Sequence, residues 1–194
     1  MGSEMEHLEH AKVIRLKEYK TGKFLVANGD GKTLRRSSDG SSGNALWTVE
    51  MVAEGTQRYM RLKSCHGKYL TASNMPLVPR GRCQKVVQSL PEKLNSATEW
   101  EMEGEGVIRL RTRYGQFLKQ YGGVMPWRHS LVHNDHAKRS ALWEIQIVDE
   151  DEAAASAAGD LVHRHRRAAS DSTFSTRKAF SAVKFPNLGG IKEK

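Results

Sequence analysis

Cysteine is scarce in this chain, two in 194 residues. That is too few for a disulfide framework and fits a reducing compartment. No run reaches the ~18 apolar residues that a membrane-spanning helix needs. Residues 1–11 are acidic and contain histidine, without the apolar stretch of a secretory signal. Glu6 stands where a myristoylation motif starting at Gly2 requires Ser or Thr. Nucleophile elbow, phosphate loop, dinucleotide-binding glycine fingerprint and zincin helix are all missing. The expectation is therefore a non-enzyme of the cytoplasm that uses no cofactor. What the chain does hold is positive charge: 31 Lys+Arg against 22 Asp+Glu, a formal net charge of +9. Its length suits one domain of ~100–200 residues with a tail, large enough to form a core without staples.

Self-similarity organises the first three quarters of the sequence. Ile14-Arg15-Leu16-Lys17 returns as Met60-Arg61-Leu62-Lys63 and as Ile108-Arg109-Leu110-Arg111, with the leucines 46 and 48 residues apart. Each phrase precedes a glycine and an aromatic-leucine pair: Phe24-Leu25, Tyr69-Leu70 and Phe117-Leu118. Each repeat then closes on a tryptophan, Trp47, Trp100 or Trp143, with alternating apolar partners. Alternation of period two reads as strand with one face buried, and Asn28-Gly29-Asp30-Gly31 and Ser37-Ser38-Asp39-Gly40 supply turns. Each repeat divides into four short strands, the middle two forming a hairpin. Three such units, about 12–51, 58–103 and 107–148, predict an all-β fold, the β-trefoil, whose closed barrel leaves no sheet edge. An open β-sandwich is the alternative. The expected inward set is Ile14, Leu16, Phe24, Leu25, Trp47, Val49 and their equivalents.

The domain is expected to cover residues 8–149 behind a short extension, 1–7. From residue 150 the composition shifts to an acidic run, an alanine stretch, Arg164-His165-Arg166-Arg167 and a Ser/Thr/Lys-rich end. Too few apolar residues remain to close a second core, so 150–194 reads as a mostly disordered basic tail. Ser170 follows Arg166-Arg167 in a pattern that basophilic kinases read, making it a candidate phosphorylation site. The arginine run is also a weak nuclear signal, so nuclear entry is the alternative compartment.

Two chemical readings fail on geometry. His129, His133 and His136 have usable metal spacing, but on strand and loop they do not converge as helical ligands would, so no metal is expected. Cys65 and His66 are adjacent, and on a strand they point to opposite faces, so the histidine is badly placed as a base. Arg15, Lys17, Arg61, Lys63, Arg109, Arg111 and Arg113 alternate with buried positions. Cross-strand pairing with Glu50, Glu99, Glu101, Glu103 and Glu144 accounts for them. The basic residues of the hairpins and loops, Arg35, Arg36, Arg80, Arg82, Lys85 and Arg128, together with Trp127, form the candidate partner-binding set, because loops on a rigid scaffold carry binding.

The phrases Met60 to Asn74, Leu90-Pro91, Glu99-Trp100-Glu101, Arg109 to Gly115 and Pro126-Trp127-Arg128 resemble a plant family. Its members carry a fascin-like β-trefoil domain of unknown function related to actin cross-linking proteins. The resemblance implies F-actin as partner and brings no set of contact residues. Ricin-type lectin repeats end in Gln-x-Trp, whereas Ala45, Thr98 and Ala141 stand two before the tryptophans here. The secreted, disulfide-bonded Kunitz-type trefoils are a poorer match still. The leading expectation is thus a module binding an acidic protein surface through its basic loops. A sugar-binding trefoil is the alternative, and a polyanion or nucleic-acid binder comes third.

Overall fold

The computed structural model describes residues 12–123, 125–136, 141–149 and 151–156. It holds twelve strands in three sets of four. The first set is β1 (Val13–Glu18), β2 (Phe24–Ala27), β3 (Leu34–Ser37) and β4 (Trp47–Glu54). The second is β5 (Gln57–Ser64), β6 (Tyr69–Pro76), β7 (Gln84–Ser89) and β8 (Trp100–Glu105). The third is β9 (Val107–Thr112), β10 (Phe117–Gln120), β11 (Leu131–Asn134) and β12 (Trp143–Val148).

Pairing follows the expected symmetry. Within each set the first strand meets the fourth at the tryptophan: Ile14 opposite Trp47, Met60 opposite Trp100, and Ile108 opposite Trp143. Between sets, β4 pairs with β5, β8 with β9, and β12 with β1, all antiparallel. Six strands therefore close on themselves, and the hairpins β2–β3, β6–β7 and β10–β11 cover the barrel interior. This is a β-trefoil, and closure removes the edges that an open sandwich would expose.

The core is built from trios. Trp47, Trp100 and Trp143 are fully buried, as are Leu16, Leu62, Leu110 and Leu25, Leu70, Leu118. Each indole Nε1 donates to a backbone carbonyl of its own set's hairpin, Leu25 at 3.2 Å, Leu70 at 3.0 Å and Leu118 at 3.1 Å. The tryptophans thus tie barrel to cap, and a buried indole N–H keeps its partner.

Two members of the expected inward set are corrected. Phe24 is only half-buried, because neighbours on a strand face opposite ways and Leu25 already points inward. Its ring packs over Gly40, where an added Cβ would lie 2.7 Å away. Val49 packs against the core but stays partly exposed, since β4 runs on past the barrel as a long hairpin with β5.

Beyond β12, residues 151–156 form a short helix where a disordered tail was expected. Its Glu152 reaches back to Arg15 at 2.8 Å, so that the Arg15 side chain, expected to pair outward with a cross-strand carboxylate, is covered from beyond the ladder and only 10% exposed. The remainder of the tail, Ser170 included, lies outside the described residues. Among the described residues, no helix is long and apolar enough to cross a membrane.

Candidate functional site: crevices between the repeats

Most strand-borne basic residues are occupied by carboxylates across the ladder. Lys17 meets Glu144 at 3.5 Å, Lys63 meets Glu50 at 3.8 Å and Arg111 meets Glu101 at 2.7 Å. Arg61 and Arg113 both reach Glu99, at 2.5 and 2.6 Å. Arg113 also pairs with Glu54 and stacks 4.3 Å over the Tyr59 ring. The Tyr69 hydroxyl is pushed above its ordinary pKa, first by desolvation and then by its bond to the Glu50 carboxylate. Such a belt holds neighbouring strands in register and leaves little charge for a partner.

The loop residues divide. Arg80 and Arg82 are exposed at the tip of the β6–β7 loop, where a turn from Val78 to Gly81 holds Arg80 at φ 59°. Lys85 is half-buried on β7, opposite Val132 of β11. Arg128 is exposed and Trp127 half-buried, in a single 3₁₀ turn before β11. Because β7 and β11 run antiparallel, the loop entering β7 and the loop entering β11 lie toward opposite ends of their pairing. The candidate set is consequently two clusters, not one face. Arg35 is exposed and joins the Trp127–Arg128 cluster, since it shares a crevice with Pro126 and Ser130.

Arg36 is removed from the set of surface contacts. Its side chain is 4% exposed and its Nη1 donates to Glu18 Oε2, a carboxylate with no exposure at all. Thr21 Oγ1 donates to the same oxygen at 2.5 Å. The pair occupies a position that recurs in every repeat. Arg36, Gln88 and His133 stand opposite Leu25, Leu70 and Leu118 in the three hairpins. Glu18, Ser64 and Thr112 are likewise equivalent, each with its amide bonded at 2.8 Å to the carbonyl of Lys23, Lys68 or Gln116. Repeat one fills the position with an ion pair, and repeat two with a neutral bond from Ser64 Oγ to Gln88 Oε1 at 2.9 Å. Repeat three uses His133.

His133 lies on β11 and is 2% exposed, which corrects its reading as a loop histidine. His129 sits in the preceding 3₁₀ turn, and His136 beyond the strand beside Asp135 at 3.7 Å. Among the described residues, no group of three or more His, Cys, Asp or Glu is arranged to hold a metal ion. The Cys65 thiol bonds to Asn44 Oδ1 at 3.3 Å. His133 Nε2 is 3.0 Å from the Ser73 carbonyl, which only accepts, so Nε2 carries a proton. Burial pushes the imidazole pKa down, leaving a neutral ring whose Nδ1 accepts. Gln116 Oε1 lies 2.6 Å from Nδ1, so a ring protonated on Nε2 alone needs the Gln116 amide turned to bring its NH₂ to Nδ1, which sets its carbonyl toward the crevice beyond.

That crevice, about 210 Å³, opens between repeats two and three. Asn74, Asn95, Thr112, Tyr114, Gln116 and His133 supply its polar lining, and the Tyr114 side is open to solvent, the residue being 80% exposed. Asn95 Oδ1 is spent capping a 3₁₀ turn through the Ala97 amide at 3.0 Å, so its NH₂ is what it offers a ligand. Apart from His133, weighed only as a metal ligand, sequence reasoning passed over these residues. The available signal was an aromatic at a turn apex, Tyr114-Gly115, where the other repeats carry His66-Gly67 and Thr21-Gly22. The corresponding space between repeats one and two is taken up by Lys68, whose Nζ bonds the Gly31 carbonyl at 2.8 Å, and by Gln88 bonding Asn28 and Thr33 carbonyls.

The model of the beta-trefoil domain of unknown function, DUF569, matches residues 5–148. The chain belongs to that family. Its fold is shared with many solved structures. A Caenorhabditis elegans protein of unknown function aligns with TM-score 0.58 and 14% identity over 70% of this chain and 93% of that one. SeviL bound to asialo-GM1 saccharide gives 0.55 and 17% over 72% and 99%. ThreeFoil, a designed three-fold symmetric protein, gives 0.55 and 20% over 71% and 99%. At these identities the likeness is one of fold. No curated protein sequence matches the chain.

Proposed function

We propose that this trefoil is a non-catalytic binding module that takes a neutral saccharide in the crevice between repeats two and three. The observation that carries the reading is the crevice itself, where an exposed aromatic ring stands beside convergent amide, hydroxyl and carbonyl groups. Sugars present an apolar ring face and a rim of hydroxyls. Tyr114 suits the face, and Asn74, Asn95 and Gln116 suit the rim, a mix of apolar wall and few polar groups typical of ligand sites. At about 210 Å³ the space fits one sugar ring, with the rest of a glycan in solvent. Support also comes from the shared fold of SeviL, whose structure holds a saccharide. A glycan array followed by calorimetry on the best ligand tests the reading. Binding that is insensitive to salt and weakened at least ~10-fold by Tyr114→Ala or Gln116→Ala is expected. A blank array, or a ligand indifferent to both substitutions, refutes it.

A second reading is favoured by the exposure of Arg35, Arg80, Arg82 and Arg128. In it the basic loops bind an acidic protein surface, F-actin being the partner that the fascin-like resemblance implies. It ranks behind the first because its residues form two separate clusters and Arg36 is internal. Co-sedimentation with F-actin at two salt concentrations decides it. Salt-sensitive pelleting that charge reversal at Arg80 and Arg82 abolishes supports actin binding, and no pelleting at low salt ends it.

A further inference from the structure

The space between repeats three and one has the same origin as the proposed saccharide crevice and the opposite chemistry. About 310 Å³ is enclosed by Lys23, Leu34, Arg35, Arg36, Pro126 and Ser130. Two of these positions are repeat equivalents of the neutral crevice: Lys23 stands where Gln116 does, and Arg36 where His133 does. The same backbone cradle has its neutral hydrogen-bonding side chains replaced by cations. Glu18 balances the charge of Arg36 from beneath. Lys23 and Arg35 are exposed, and no carboxylate lines the space among the described residues. The Arg35 charge also acts on Asp39, which is solvent-exposed and whose Oδ1 accepts from the Ser41 amide and hydroxyl. Ser130 adds a hydroxyl, and exposed Arg128 lies two residues before it.

We infer that this basic crevice is an oxyanion site, receiving the sulfate or carboxylate of a small polar ligand between the Lys23 ammonium and the Arg35 guanidinium. Several features fit this role better than that of a solvated surface patch. Two exposed cations border one concave space that no carboxylate among the described residues lines, and water there is displaced by an ion that can accept from both. The Glu18–Arg36 pair below is rigid, so the guanidinium floor is in place before a ligand arrives. Leu34 and Pro126 make the remaining wall apolar, which lowers the local dielectric and strengthens the attraction relative to open solvent. A sulfated or uronic sugar would meet both demands, its ring on the apolar wall and its charge between the cations. The inference stands apart from the neutral-sugar reading, since it uses another crevice and other residues.

The test is an amide-resolved NMR titration of the full chain with inorganic sulfate, with sodium chloride at matched ionic strength as control. A sulfated monosaccharide and its unsulfated parent form the ligand arms. Saturable shifts centred on Lys23, Arg35 and Ser130 are expected with sulfate and not with chloride. The sulfated sugar should bind more tightly than sulfate alone, and the parent sugar should leave these amides still. Lys23→Met with Arg35→Met should weaken both anions at least ~10-fold, while Arg80→Met with Arg82→Met should leave them unchanged. Shifts that track ionic strength alone, or equal affinity in the Lys23/Arg35 variant, overturn the inference. Loss of neutral-sugar binding in Tyr114→Ala with sulfate binding intact would show the two sites failing or holding independently.

Discussion

The Glu18–Arg36 pair gives the sharpest test of how the repeats are built. Arg36→Gln puts into repeat one the residue that repeat two carries at Gln88, but leaves Glu18 as a carboxylate with no exposure and no countercharge. Only the Thr21 hydroxyl would still satisfy it. Removing one partner of a buried ion pair costs about 3–5 kcal/mol, far above the ~0–1 kcal/mol of an exposed pair. Glu18→Ser, the residue of Ser64, removes the buried carboxylate bonded to Arg36 and should also be destabilising. The double variant instead reproduces the whole Ser64–Gln88 arrangement, a neutral bond of 2.9 Å already accommodated by this backbone in repeat two. It should lie within about 2 kcal/mol of the parent, because replacing a buried pair as a unit is close to neutral. Urea unfolding of the four proteins at 25 °C measures the coupling directly, and a value of at least ~2 kcal/mol is expected. Additive losses would mean that the pair is solvated in solution, and that the equivalence drawn between Arg36, Gln88 and His133 is false. Should a single variant fail to fold while the double folds, the coupling is shown in its extreme form.

Three further outcomes follow from individual contacts. Trp100→Phe removes the Nε1 donor to the Leu70 carbonyl as well as indole volume from a fully buried site, and should cost about 2–4 kcal/mol by urea unfolding. Trp47→Phe and Trp143→Phe should behave alike, since their bonds are equivalent. Gly104→Ala places a Cβ 2.8 Å from the Val107 carbonyl at φ +111°, so a loss of about 1–3 kcal/mol is expected, while the same change at open Gly29 should be near neutral. His133 is held below its ordinary pKa of 6.5 by burial. The unfolded chain therefore binds the proton more readily, and stability should fall as pH drops below about 6.5 toward the folded-state value. The slope is up to about 1.4 kcal/mol per pH unit for one group. His133→Gln should flatten that segment of the stability–pH profile, and an unchanged slope would show that another group is responsible.

The barrel was legible because its determinants repeat. Three Trp–Leu–Leu sets of one residue type each occupy equivalent buried positions, and periodicity picks out what is the same in every unit. The polar ring beneath the cap was illegible for the converse reason. Glu18–Arg36, Ser64–Gln88 and Thr112–His133 occupy equivalent positions in the three repeats but share no residue pair, so no pattern marks them. Arg36 read as a loop cation because an ion pair between residues 18 apart leaves no trace in local spacing. His133 read as an ordinary loop histidine because its partners, Gln116 and the Ser73 carbonyl, come from another turn and another repeat. Phe24 was misplaced by a simpler error: it and Leu25 cannot both face the interior of one strand. Lys17 and Arg111 were read correctly as ladder partners, since register alone puts Lys17 against Glu144 and Arg111 against Glu101, whereas Arg15 turns to Glu152 beyond the ladder.

Symmetry and function are separated within the same strands. Facing the barrel axis, the tryptophan and leucine trios keep one residue type and Ile14, Met60 and Ile108 stay large and apolar, because three equivalent side chains must fill one shared volume at close packing. A change at one of them is felt by the other two repeats. Positions that face the spaces between repeats carry no such coupling, as each space is bounded by its own pair of neighbours. They have diverged into a neutral crevice with an aromatic face, a basic crevice over a buried ion pair, and a space filled by Lys68 and Gln88. A ligand that used three equal sites would need three equal crevices, and the described residues form three unlike ones. If both proposed sites bind, recognition is a matter of two different crevices, and a glycan bearing both a neutral ring and an anionic group is the ligand whose chemistry matches the pair.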